Sequence, residues 1–153
     1  MRVPGPGDAA EAEARGRFAA APVARLATVT PAGGPHVVPV VFALHRDVLW
    51  SAVDGKPKTS ANLRRVANIR SNPLVSLLVD HYDADWSALW WVRADGRAEV
   101  MTAETAEGQR GITQLVAKYE QYQSDPPLGP VIVVRVERWT HWSWSGPFPR
   151  RSP

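Results

Sequence analysis

Three β-prone runs lie within the thirty residues from position 24 to 53, too closely spaced for a helix to separate them. Residues 24–30 (ARLATVT) alternate between apolar and polar positions. Pro31-Ala32-Gly33-Gly34-Pro35 is a tight connection, and residues 36–44 (HVVPVVFAL) return as its hairpin partner. His45-Arg46-Asp47 makes the next turn, and residues 48–53 (VLWSAV) supply a third strand. Short turns join antiparallel strands, so this half should be a meander, and a βαβ dinucleotide fold is excluded for it.

The flanking segments complete an expected fold. Asp8 should cap a helix over residues 9–21, stopped by Pro22. Over residues 59–70 the period changes: Leu63, Val66, Ala67 and Ile69 share a helical face, with Arg64, Arg65 and Arg70 at its flanks. Asn72-Pro73 ends that helix, and residues 74–82 (LVSLLVDHY) read as a strand buried on both faces. Residues 86–101 suit a long strand or bent hairpin. Residues 103–122 suit a helix that Gly108 and Gly111 weaken, and residues 131–144 a closing strand. The expected class is mainly β with peripheral α: six or so antiparallel strands in a small barrel, with two or three helices outside. One domain suffices for 153 residues. Residues 1–17 would be an arm and the start of the first helix, residues 18–145 the domain, and residues 146–153 a tail.

Pro39 conflicts with its own strand. Proline has no N–H to donate, so it belongs at a sheet edge or bulge. Val37, Val38, Val40, Val41 and Phe42 make the run apolar on both faces, so it needs cover from a planar ligand or a second subunit. Seven tryptophans point the same way, being more than one compact core readily hides. A tryptophan-rich core with ragged edges is the competing reading.

Composition removes whole classes of chemistry. There is no cysteine, hence no disulfide, Cys-ligated zinc, iron–sulfur cluster or thiol nucleophile, and redox work would need a bound cofactor. No apolar run is long enough for a membrane span, and the acidic N-terminus lacks a signal peptide's apolar core; a cytoplasmic protein is expected. The net charge of +3 is too mild for a nucleic-acid binder. The four histidines show no metal-ligand spacing, and Asp80-His81-Tyr82-Asp83-Ala84-Asp85 reads as a turn with charged tips. No metal site is expected, and no catalytic side chain is assigned.

The positive charge is unevenly made. Fifteen of the 18 basic residues are arginine, yet two of the three lysines share the segment Asp54-Gly55-Lys56-Pro57-Lys58-Thr59-Ser60. That segment leads into a helix start, where free N–H groups and the positive dipole end favour an anion. Lys56 and Lys58 fall on one side if the segment is extended, Thr59 and Ser60 add hydroxyls, Asn62 can reach back, and Pro57 limits freedom. This makes an anion cradle without the Walker pattern. A solvated charged turn is the alternative.

The hairpin LATVTPAGGPHVVPVVFAL, the segment GKPKTSANLRRVANIRSNPLVSLLVDHY and the following DWSALWWVRADGRAEV resemble the pyridoxamine 5′-phosphate oxidase-like superfamily, and within it the actinobacterial coenzyme F420-dependent oxidoreductases. The resemblance covers residues 18–145. It implies a split β-barrel of the FMN-binding-protein type, forming a homodimer with cofactor sites at the interface. Val38, Pro39, Val40, Ser51 and Ala52 would lie along the ring. Lys56, Pro57, Lys58 and Thr59 would hold the phosphate, Asn62 would support them, and partner tryptophans would close the pocket. The implied activity is hydride transfer between F420 and a small organic acceptor. FMN binding in an oxidase-like flavoprotein, or a carrier of a flavin, deazaflavin or haem-like ligand without turnover, are the alternatives. HVVPVV carries no charge where flavin oxidases usually place one for the FMN phosphate, which favours the deazaflavin.

Overall fold

A computed structural model describes residues 6–53 and 60–148. Helix α1 (Pro6–Ala20) starts at a proline, which suits a first helical turn, and ends before Pro22. Ala10, Ala14 and Phe18 recur every four residues and bury its inner stripe. Strands β1 (Ala24–Val29) and β2 (Pro35–Val40) form the expected hairpin, with Gly34 N–H donating to Thr30 Oγ1 at 2.9 Å. Then come β3 (Ala43–His45), β4 (Val48–Ala52), α2 (Ser60–Ser71), β5 (Leu74–His81), a 3₁₀ turn (Trp86–Ala88) and β6 (Trp90–Met101). Helices α3 (Ala106–Lys118) and α4 (Glu120–Ser124) precede β7 (Val131–Ser143). Among the described helices none is long and apolar enough to cross a membrane.

All strand pairs are antiparallel, in the order β2-β1-β5-β6-β7-β4-β3. The expected barrel is therefore corrected: among the described residues the architecture is a mixed α and β fold with four helices on an open seven-stranded sheet. The meander is corrected too. After β2 the chain does not turn back beside it, but crosses through Val41 and Phe42 to β3 at the opposite end of the sheet. Two residues span only about 7 Å, so the sheet curls until its ends approach. It stops short of closing. At the crossing the Tyr119 hydroxyl accepts from Phe42 N–H at 3.0 Å and lies 2.9 Å from the Phe42 carbonyl. Pro39 withholds a donor on β2, which is an edge strand as its proline requires.

The core fills the inside of the curl. Phe18, Leu26, Phe42, Leu49, Leu77 and Val92 are all within 1% of full burial, each side chain stabilising by about 1.5–3 kcal/mol. Phe18 packs against Phe42 and edge-on to Trp139, both at 5.1 Å. Strand β5 buries one face only: Val75, Leu77 and Val79 point inward, while Leu74 is 49% exposed on the other side. On α2, Val66 and Ile69 are buried and Ala67 is exposed. Arg65 is buried, unlike Arg64 and Arg70, and Asn68 donates to Thr28 Oγ1 at 3.0 Å.

Helix α3 lies on the outer face of β3, β4 and the start of β7. It begins at Thr105, whose hydroxyl accepts from Gly108 N–H at 3.0 Å. Gly111 permits this docking, because a Cβ there would stand 2.5 Å from Trp50 Cδ1. The glycines that weaken the helix in isolation are what let it dock. The rest of the outer sheet face, from β2 across β1, β5 and β6 to the end of β7, carries no described helix.

Candidate functional site

The crossing from β2 to β3 defines one corner of the molecule. A cavity of about 590 Å³ lies there, between Pro22 and Val23 ahead of β1, Val41 on the crossing, Tyr119 and Tyr122, and the Pro126-Pro127-Leu128 strap. Tyr119 sets its back wall. Its hydroxyl lies 2.9 Å from the carbonyls of both Pro22 and Phe42 and donates to one of them at a time. Burial pushes the Tyr119 pKa up, against the opposing hydrogen bond with Phe42, so the phenol stays protonated at neutral pH. Tyr122 stands edge-on to it at 5.8 Å.

Lys118 is behind this wall. Its ammonium donates to Ala21 O at 2.7 Å and sits 3.8 Å from the centre of the Phe42 ring. Burial lowers its pKa to about 8. Sequence reasoning passed over Lys118, Tyr119 and Tyr122. The break from α3 to α4 at Tyr119, followed by Asp125-Pro126-Pro127, was the available signal.

The residues expected to touch a cofactor divide by position. On β2, Val38 and Val40 pack toward the core, while Pro39 faces outward beside Val37, which is 60% exposed. The outward stripe Pro35, Val37, Pro39 continues to Val41 at the cavity. On β4, Ala52 packs outward with Leu115, Tyr119 and Tyr122. Ser51 shares the side of Leu49 and is 2% exposed, and its hydroxyl has no hydrogen-bond partner among the described residues. A buried hydroxyl left this way has bonding capacity to spare for a ligand or a neighbouring segment. Lys56, Pro57, Lys58 and Thr59 lie outside the described residues, as does the side chain of Asn62. The chain ahead of them is fixed: Val53 N–H donates to Pro130 O at 3.0 Å, and a Cβ on Gly129 would meet Val53 O at 2.2 Å. Val53 thus adjoins Gly129 and Pro130, which directly follow the strap that walls the cavity.

Two further features mark the uncovered outer face. Asp95 accepts from Ser76 Oγ at 2.6 Å and from Arg93 and Arg138 at about 3 Å. Burial alone would raise its pKa, but Ser76, Arg138 and Arg93 outweigh it and hold the carboxyl below its ordinary range. At the end of β7, Trp86, Trp142 and Trp144 are 62%, 42% and 54% exposed, with ring centres 6.0 and 6.3 Å apart in edge-on contacts. Trp144 N–H on Leu89 O and Ser145 Oγ on Ser87 O hold this cluster in place. Asp83 and Asp85 cap their own turn, and among the described residues no three His, Asp or Glu side chains gather as metal ligands.

The chain is similar to a heme-binding protein of Mycobacterium smegmatis (24% identity, TM-score 0.71, 95% of this chain and 57% of that one). It is likewise similar to a conserved hypothetical protein of Mycobacterium tuberculosis (21%, TM-score 0.70, 94% and 91%). An FAD-binding protein of Mesorhizobium loti matches at 21% identity and TM-score 0.66, over 85% of this chain and 91% of that one. At these identities the likeness is one of fold. No curated protein sequence matches. The pyridoxamine 5′-phosphate oxidase family model matches residues 10–143, and the chain belongs to that family.

Proposed function

We propose that this protein binds a phosphorylated flavin-type coenzyme at the corner formed by β2, the end of β4 and the lysine segment. The observation that carries the reading is the family match over residues 10–143, which takes in all three. Physical features support it. The outward stripe of Val37 and Pro39 offers an apolar shelf for a planar ring, and Ser51 keeps a buried hydroxyl unused. Lys56 and Lys58, with Thr59 and Asn62 beside them, supply charge and donors for a phosphate. When bound, the coenzyme supplies hydride chemistry. The protein's part is to position the ring, exclude water and neutralise the phosphate.

FMN leads because a fold relative binds FAD and the family is that of a flavin oxidase. Coenzyme F420 is the second reading. The uncharged HVVPVV stretch and the surplus of arginine favour it, since its tail carries several carboxylates. In that reading the protein would pass a hydride to a small organic acceptor; a carrier without turnover is the third outcome.

A homodimer suits the same reading. The register runs Pro39–Arg25–Leu78–Arg93–Thr140 across the uncovered face, so the β2 stripe and Trp142 share it at opposite sides. A two-fold axis along the strands would set the Trp86, Trp142 and Trp144 cluster of one copy over the β2 stripe of the other. Fluorescence titration of purified protein with FMN, FAD, F420 and heme tests the assignment. Micromolar or tighter FMN or F420 binding supports it. Binding of heme alone, or of none of the four, refutes it.

A further inference from the structure

We propose that Tyr119 is a positioning residue of the coenzyme site: it sets the spacing between the ring shelf on β2 and the end of β4 that leads to the lysine segment. The inference rests on the coenzyme reading and deepens it. A phosphorylated flavin joins a planar ring to a phosphate by a short chain. It gains fully from both contacts only where the protein holds the two subsites at the ligand's own spacing. Ladders connect β2 to β4 only the long way round the sheet, through β1, β5, β6 and β7, and small changes in curl add up along that path. The short way runs over the crossing from β2 to β3, where among the described residues no ladder joins the two ends. A contact that spans this gap therefore decides the spacing.

Tyr119 is such a contact. Its hydroxyl accepts from Phe42 N–H at 3.0 Å and lies 2.9 Å from the carbonyls of both Phe42 and Pro22. One oxygen thus fastens the crossing to the chain entering β1. Its ring packs on Ala43, Ala52 and Leu115, the first at the start of β3 and the second at the end of β4. Val41, next to Phe42, continues the outward stripe of Val37 and Pro39. Ala52 is followed by Val53, whose N–H donates to Pro130 O at 3.0 Å, and then by the lysine segment. The two parts of the proposed site are tied to the same side chain. The tie is also stiff. Tyr119 N–H donates to the carbonyl of the fully buried Leu115 at 2.9 Å, and Lys118 beside it donates to Ala21 O at 2.7 Å. Phe42 has no room to give, because its ring is fully buried against Phe18.

Titrating wild type, Tyr119→Phe and Lys118→Met with FMN and with riboflavin at pH 7 tests the inference, and the ratio of the two affinities is the readout. A variant that only unfolds in part weakens both ligands alike and leaves their ratio unchanged. The ratio should be about tenfold or more in the wild type and about threefold or less in Tyr119→Phe, with FMN losing more than riboflavin. Lys118→Met gives up the neighbouring hold on Ala21 but keeps the hydroxyl, and should keep the wild-type ratio. Should Tyr119→Phe fail to fold, Ala43→Gly decides in its place: it hollows the seat of the ring and should lower the ratio in the same direction. An unchanged ratio in the variant read, or one that falls as far in Lys118→Met, overturns the proposal and leaves the coenzyme reading in place. A wild type that binds FMN no more tightly than riboflavin refutes the FMN reading and takes this inference with it. For a wild type that binds F420 and not FMN, the same ratio is read between F420 and its phosphate-free chromophore.

Discussion

Substituting alanine at two helical glycines should move stability in opposite directions. On an exposed helix surface Gly→Ala stabilises by roughly 0.5–1 kcal/mol, through propensity and a less free unfolded chain. Gly16 on α1 is such a site, exposed and with nothing within 4 Å of an added Cβ. Gly111 on α3 is the contrary case. Its Cβ would stand 2.5 Å from Trp50 Cδ1 and 2.8 Å from Cγ, and Trp50 is 1% exposed. The indole cannot swing aside, since its Nε1–H donates to Glu107 Oε1 at 3.2 Å on the same helix. Either α3 lifts or the ring is forced off its rotamer, at about 2–3 kcal/mol, the upper part of the usual overpacking range. Set against a propensity gain of about 1 kcal/mol, the net loss is about 1–2 kcal/mol. For a chain of this size that is roughly 2–8 °C in Tm, at about 2–4 °C per kcal/mol. Urea and thermal melts followed by circular dichroism read both variants. A Gly111→Ala protein as stable as Gly16→Ala would refute the described seating of α3 on β4.

Tyr119→Phe removes the acceptor for Phe42 N–H and the donor shared by Pro22 and Phe42, so urea melts should show a loss of about 1–3 kcal/mol. Lys118 should make stability depend on pH. Its native pKa is lowered to about 8 by burial. Between pH 8 and the ordinary lysine value the unfolded chain binds the proton and the native state does not, so stability rises with pH. The rise is about 1 kcal/mol once the amine's partial exposure is allowed for. It should vanish in Lys118→Met, and it is read below pH 10, above which the raised Tyr119 pKa acts in the opposite sense. Sedimentation of the wild type at micromolar concentration should show a dimer that Trp142→Glu dissociates; a wild type that stays monomeric contradicts the interface.

Local chemistry was legible in the sequence where it decides local structure. The alternation of β1 and the PAGGP turn marked the first hairpin, and Pro39 pointed to an edge or a bulge, of which the structure shows the edge. The failure came one step later. The run HVVPVVFAL carries no turn residue, so nothing in it shows that the chain leaves β2 at Val41 and enters the far end of the sheet at Ala43. That route depends on β4 pairing with β7, about eighty residues further on, and on Tyr119 capturing the backbone of Phe42. The cavity was hidden for the same reason, because its walls join Pro22 to Tyr119, 97 residues apart. Nothing in the sequence around Lys118 sets it apart; only the fold puts Phe42 and Ala21 around its ammonium. The lysine segment needed no fold to be noticed, since its charge and its place ahead of a helix are written in consecutive residues.

The most direct measurement compares riboflavin with FMN, which differ only by the phosphate, on wild-type and Lys58→Ala protein. The phosphate should strengthen wild-type binding by about tenfold or more, as a charge-assisted contact of roughly 1.5–3 kcal/mol requires, and Lys58→Ala should erase most of that difference. Equal affinity for riboflavin and FMN in the wild type, or an undiminished preference in the variant, would contradict the assignment of the lysine segment to a coenzyme phosphate.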